Sequence, residues 1–251
     1  DDKVKAFINT QDLKDEEYIN SHYVIMATKK GQVKKTLLEQ YSRPRANGIN
    51  AITIKDEDEL LEAKLTTGNS QILLAVKSGK AIRFEEDKTR PMGRSASGVR
   101  GITLNGPSDE VIGMVSVSDS ETEILVVSEN GYGKRSSLDD YRTTNRGGKG
   151  VKTLSITDKT GDLVSIKNVS DLDDLMIINK SGIAIRMDVA DLRVMGRATQ
   201  GVKLINLKGS DTIAAVAKVM KDDEEISEVS EDDLPTCLLY TSDAADEEDS
   251  V

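Results

Sequence analysis

A unit of about fifty residues recurs four times along this 251-residue chain, and that repetition limits the fold more than any other feature. Each copy opens with an apolar, β-branched run, a two-residue turn ending in glycine, and a second short run. The copies read YVIMATKKGQVKK from Tyr23, ILLAVKSGKAIR from Ile72, ILVVSENGYGKR from Ile124 and LMIINKSGIAIR from Leu175. The turn glycines Gly31, Gly79, Gly131 and Gly182 are spaced by 48, 52 and 51 residues. Glycine at the end of such a turn marks a hairpin, because the tight turn needs positive φ, which glycine adopts without steric cost. A second glycine follows each hairpin (Gly48, Gly98, Gly150, Gly201), 17, 19, 19 and 19 residues past the turn. A third apolar run closes each unit, at 59–65, 110–117, 162–169 and 211–219.

Three or four short strands cannot bury both faces of a lone sheet, so neighbouring units must stack. The pattern predicts an all-β, propeller-like disc of blades of about fifty residues. Residues 4–9, followed by QDLKDEE, match the third run, so the chain is expected to begin inside an earlier blade. The expected partition is a partial disc over 1–221, in which 1–20 end that earlier blade and 21–71, 72–123, 124–174 and 175–221 are successive blades. Residues 222–235 form an acidic tail. Helix is scarce: only DEDELLEAK at 56–64 favours it by composition, and its place in the repeat assigns strand instead.

Hydrophobic residues make up 37% of the chain and aromatics 3%, with no Trp, which suits thin Val, Ile and Leu layers better than one aromatic core. One Cys and one His exclude a disulfide framework and a Cys/His zinc site within one chain. No apolar run approaches the roughly 18 residues of a membrane helix, and the charged first twenty residues lack a signal-peptide core. A cytoplasmic location without membrane contact is expected.

The formal net charge of -10 argues at first against nucleic acid. Its distribution reverses that. Residues 222–251 hold 13 of the 44 acids and none of the 34 bases, leaving 31 acids against 34 bases in the body. A basic body with an acidic appendage points to nucleic-acid binding. The tail has two parts. DDEEISEVSEDD at 222–233 repels itself and has few apolar side chains, so disorder is expected. The stretch CLLYTSDAADE from Cys237 resembles a sequencing adapter translated in frame, so 236–251 are expected to be non-native and are set aside.

The bases recur with the repeats. Lys35, Arg83, Arg135 and Arg186 lie four residues past each turn glycine. Arg94, Arg146 and Arg197 stand four residues before the second glycine, with Arg43 and Arg45 near that place in the first repeat. Arg100, Lys152 and Lys203 lie two residues after it, where the first repeat has Asn50. Lys134 adds a further base beside Arg135. Equivalent residues of a radial repeat occupy equivalent rim points, so these bases are expected to form a curved positive track. Duplex DNA bent around that track is the matching partner, since phosphate contacts fix position without reading sequence. In Asn145-Arg146-Gly147-Gly148-Lys149-Gly150, glycines would let a backbone approach a phosphate while Arg146 and Lys149 supply charge. It is not a Walker A loop, because Gly150 stands where Ser or Thr should follow Lys149.

YSRPRANGINAITI, SGKAIRF, RPMGRSASGVRG, NRGGKGVKT and VMGRATQGVKLINL together resemble the C-terminal domain of the DNA gyrase A subunit, with the closest likeness to Bacteroidetes-type sequences. The resemblance runs from about residue 1 to 221. It implies a β-pinwheel whose basic rim wraps duplex DNA non-sequence-specifically and so supports ATP-dependent negative supercoiling. It implies a family box of the form Q-R-R-G-G-K-G. Here Thr144 and Asn145 replace its Gln and first Arg, and the loop sits in the third complete repeat, so it is box-like only. A disc of six blades is usual, so four and part of a fifth read as a fragment. The resemblance further implies two partners, reached through missing domains: the gyrase B subunit, plus a second gyrase A subunit. It implies no cofactor in this part, with ATP and Mg2+ in the holoenzyme, and a nucleoid-associated bacterial location. An acidic tail such as 222–233 can then compete with DNA for the rim.

Two other readings differ in class. A topoisomerase IV C-terminal domain would carry fewer, more degenerate blades, and a propeller-like protein scaffold would bind partners through loops on one face. An independent enzyme is disfavoured: His22 precedes a strand with no nucleophile beside it, and Tyr41, Tyr132 and Tyr141 do not inherit the family's DNA-cleaving tyrosine, which lies in another domain.

Overall fold

A computed structural model describes residues 3–118 and 122–220. The first repeat forms β1 (Tyr23–Thr28), β2 (Gln32–Leu37) and β3 (Leu60–Thr66). The second forms β4 (Gln71–Val76), β5 (Lys80–Glu85), the two-residue β6 (Val99–Arg100) and β7 (Val111–Val117). The third forms β8 (Glu123–Ser128), β9 (Tyr132–Ser137), β10 (Val151–Lys152) and β11 (Leu163–Val169). The fourth forms β12 (Asp173–Asn179), β13 (Ala184–Asp188), β14 (Val202–Lys203) and β15 (Ile213–Met220). The fold is all-β, and the acidic stretch before β3 is a turn leading into a strand, as its repeat position requires.

The sheets run β3-β1-β2-β6, β7-β4-β5-β10, β11-β8-β9-β14 and β15-β12-β13. Each of the first three is thus completed by a strand from the following repeat. Val99 pairs with Val33 and Arg100 with Gln32, Val151 with Ala81, and Val202 with Gly133. These short arms form the outer edges, while β3, β7, β11 and β15 end the sheets on the other side, with β11 touching both β7 and β15.

The two glycines of each unit serve this exchange. At Gly79 (φ 78°) an added Cβ would lie 2.7 Å from the Leu154 carbonyl oxygen, and at Gly150 (φ 70°) 2.6 Å from that of Ala81. Backbone of one repeat lies against backbone of the next, with no room for a side chain. Gly48 and Gly182, whose neighbouring repeats are not among the described residues, have nothing within 4 Å of that position.

The core consists of layers between sheets. Ile25 and Val33 pack on Ile72, Leu74 and Phe84; Leu73 and Val115 on Ile124 and Val126; Leu125 and Val127 on Leu175 and Ile177. Each fully buried aliphatic side chain contributes about 1.5–3 kcal/mol. The far face of the first sheet is covered by a helix that composition did not reveal, α1 (Glu16–Ser21). Asp15 caps it, accepting from the Glu17 and Tyr18 amides at 3.0 and 3.2 Å. Its Ile19 packs on Val24, Met26 and Leu38. Residues 4–9 run beside it without strand pairing, and Ile8 joins the same cluster. The fourth sheet has no such cover among the described residues: Leu172 and Met220 are 78% and 77% exposed. The acidic and adapter-like segments from 222 lie outside the described residues.

Candidate nucleic-acid interface

The recurring bases separate into an inner and an outer set. Those four residues past the turn glycine point to the next repeat instead of solvent. The Lys35 ammonium is buried, 3.4 Å from Glu86 Oε1 and 4.6 Å from the centre of the Tyr23 ring. Glu86 is itself fully buried and accepts from Thr66 Oγ1 at 2.7 Å. Arg83 donates to the carbonyls of Leu138 and Tyr141 at 2.7 and 2.9 Å. Arg135 is buried, 3.0 Å from Glu123, and bonded to Asp171 and the Leu192 carbonyl. The backbone repeats the theme: Met92, Thr144 and Met195 amides donate to the carbonyls of Lys35, Arg83 and Arg135 at 2.7, 2.9 and 2.9 Å. Arg186 meets no following hairpin loop among the described residues; it is exposed and pairs with Asp174 of its own sheet.

The rim role expected for Lys35, Lys134 and Arg135 is therefore corrected. Burial removes them from any phosphate, and their hydrogen bonds are made inside the protein. Lys134 is 1% exposed and donates to the Gly196 carbonyl. Arg83, half-buried and fully engaged, belongs with them.

The outer set faces solvent. Arg43, Arg45, Arg100, Lys149, Lys152 and Lys203 are exposed, and Arg94, Arg146 and Arg197 are partly so. Consecutive repeats join through them. The Arg146 guanidinium donates to the Arg100 carbonyl at 3.0 Å and to the Lys88 carbonyl at 2.9 Å. Arg197 donates to the Lys152 carbonyl at 2.8 Å. The arm base of one repeat and the loop arginine of the next thus stand side by side, with hydrogen-bonded carbonyls rather than carboxylates as partners.

The Asn145–Gly150 loop is zipped to the preceding arm. The Gly147 amide donates to the Gly101 carbonyl at 2.6 Å, and Thr103 donates to the carbonyls of Gly147 and Gly148 at 2.7 and 2.9 Å. Gly150 is occupied by the strand exchange, so it is not a phosphate cradle. Gly148 and Lys149 remain exposed.

Arg90, Arg142 and Arg193 are exposed bases outside the recurring set expected to form the track. Each lies eight residues before the second glycine, a recurrence as regular as those already described. Arg142 shares a groove with Asn145, Gly148 and Lys149, and Arg45 and Arg94 share another with Gln40 and Asn50.

His22 ends α1, with Nδ1 2.8 Å from the Tyr18 carbonyl and its ring 4.2 Å from that of Tyr18. Tyr141 is buried against Thr153. Among the described residues no three His, Cys, Asp or Glu side chains gather to hold a metal ion, and no helix is long and apolar enough to cross a membrane.

A family model described as DNA gyrase C-terminal domain, beta-propeller, matches residues 22–67, 71–118, 122–170 and 173–220. The DNA gyrase A subunit of Staphylococcus aureus strain NCTC 8325 is 44% identical over 240 residues, covering 95% of this chain and 26% of the relative. Its counterpart in strain MRSA252 is 44% identical over 238 residues, 92% of this chain and 26% of the relative. The chain therefore spans about a quarter of the length of these relatives. A solved DNA gyrase A C-terminal domain superposes with a TM-score of 0.72 at 24% identity, over 80% of this chain and 67% of that one. A topoisomerase IV C-terminal domain gives 0.75 at 23% identity, over 80% and 62%. These two likenesses show the same fold, and the four matched repeats and the sequence identity show that the chain belongs to the DNA gyrase C-terminal domain family.

Proposed function

We propose that the chain binds and wraps duplex DNA along its outer edge without reading sequence, as the C-terminal part of a gyrase A subunit. The observation that carries this is the contiguity of Arg100 with Arg146 and of Lys152 with Arg197 across successive repeats. A duplex presents regularly repeated phosphates, and outward bases that recur from repeat to repeat suit it. Aromatic platforms for single strands are not part of the arrangement. In this reading Arg43, Arg45, Arg90, Arg94, Arg142, Lys149, Arg193 and Lys203 extend the track. Wrapping then supports ATP-dependent negative supercoiling by an assembly with the gyrase B subunit, plus a second gyrase A subunit, in the bacterial cytoplasm. ATP and Mg2+ act elsewhere in that assembly.

The test is DNA affinity as a function of salt. Binding should weaken with salt by roughly one log–log slope unit for each phosphate the chain neutralises. Replacing Arg146 and Lys149 by Ala should lower the slope by about two; an unchanged slope removes the loop from the interface. Closing a nicked plasmid with ligase in the presence of the chain separates wrapping, which changes the linking number, from simple binding, which does not.

A further inference from the structure

We propose that Lys34 and Lys134 are positioning residues of the rim: from inside the fold, each holds by backbone carbonyls a loop that presents an outward arginine. The proposal rests on the DNA-binding reading of that rim. Lys34 is 0% exposed, and its ammonium donates to the carbonyls of Ala51, in the arm region of the first repeat, and of Arg94, in the loop of the second. Lys134, 1% exposed, donates to the Gly196 carbonyl next to Arg197. A buried ammonium is costly unless hydrogen-bonded. Among the described residues neither has a carboxylate within ion-pair reach, so the loop carbonyls supply the solvation and the loops are held where those carbonyls must be.

The equivalent position, three residues past the turn glycine, is Ile82 in the second repeat and Ile185 in the fourth. The Ile82 Cδ1 lies under Gly148, 3.4 Å from where a Cβ would stand. At this position the loop of the third repeat meets an apolar side chain, whereas those of the second and fourth meet an ammonium. The chain itself shows that isoleucine is accommodated at this place.

The groups facing Lys34 are Arg94 and Tyr41, whose hydroxyl shares the Ala51 carbonyl at 3.2 Å. Those facing Lys134 are Asp140 and Arg197. Burial, with repulsion by Arg94, lowers the Lys34 pKa to about 8. Burial also lowers Lys134 to about 8, with attraction by Asp140 and repulsion by Arg197 opposing each other. The repelling arginines are the ones a phosphate would neutralise. A bound duplex therefore raises both lysine pKa values, so the complex holds more protons than the free chain. Binding takes up protons, and affinity falls as pH rises through about 8.

The experiment compares the full chain with Lys34→Ile, Lys134→Ile and the double variant, using a mixed-sequence linear duplex. Affinity is measured below and above pH 8, and proton uptake by titration calorimetry in two buffers of different ionisation enthalpy. Amide exchange is read at residues 93–96 and 196–199 without DNA. The wild-type chain should bind more weakly above pH 8, by about tenfold per unit of lysine pKa change, and take up protons. The double variant should lose proton uptake, and each single variant should speed exchange in its own loop only. Equal proton uptake in wild type and double variant, or unchanged loop exchange, overturns the proposal. Absence of DNA binding by the wild-type chain instead sinks the rim reading, and loop exchange then decides the positioning role alone.

Discussion

Arg135 and Arg186 hold the same place in consecutive repeats, and their surroundings differ. Arg135 is buried at the junction with the fourth repeat, meeting Glu123, Asp171 and the Leu192 carbonyl. Arg186 lies on the open sheet, its side chain 46% exposed and paired with Asp174. The same motif is a fastener where another repeat follows and a surface ion pair where none is described. Recurrence along a repeat protein thus reports contact between repeats before it reports a ligand.

That contrast should break most visibly in stability. Arg135→Ala leaves a buried Glu123 oxygen and the Leu192 carbonyl without their partner and should cost about 3–5 kcal/mol in urea unfolding. Arg186→Ala should cost less than about 1 kcal/mol. Equal losses would mean the junction carries no special energy. The glycines give a second pair. Gly182→Ala meets open space and bears only the strain of its positive φ, about 1 kcal/mol. Gly79→Ala bears that and collides with the Leu154 carbonyl and Ile156, so it should cost roughly 1–3 kcal/mol more.

The buried lysines sharpen the contrast through pH. Their folded pKa of about 8 lies below the ordinary value of 10.5, so unfolding takes up protons between those limits. Stability contributed by these groups therefore rises as pH increases from about 8 towards 10.5, and is least below 8. The gain should be read as a higher denaturant midpoint, and Lys34→Ile with Lys134→Ile should flatten it. The smallest effect is on DNA binding. Arg186→Ala removes a base already paired and should leave the salt slope unchanged, whereas Arg100→Ala or Lys152→Ala should each lower it by about one.

The hairpins and the repeat period were legible in the sequence because both are written locally, in period-two apolar runs and turn glycines. What each arm pairs with was not. Val99-Arg100 looks the same whether it closes its own sheet or its neighbour's, since the choice is made by backbone packing at Gly31 and Gly98. Lys134-Arg135 in YGKRSS reads as a pair of outward rim bases. It is buried because β14 pairs alongside and the loop of the next repeat covers it. The outer bases were legible as a recurrence, and Arg90, Arg142 and Arg193 could have been found the same way. The helix α1 carried its own signal, Asp15 followed by Glu16 and Glu17, in a segment only six residues long.

The borrowed strands also set a timetable for synthesis. Gln32 must wait for Arg100, about 70 residues later, before its sheet is complete. At about 5–20 residues per second that delay is roughly 3–14 s, longer than the microseconds a hairpin needs to form. Each of the first three sheets therefore leaves the ribosome with an open edge and is closed by the arm of the repeat made after it.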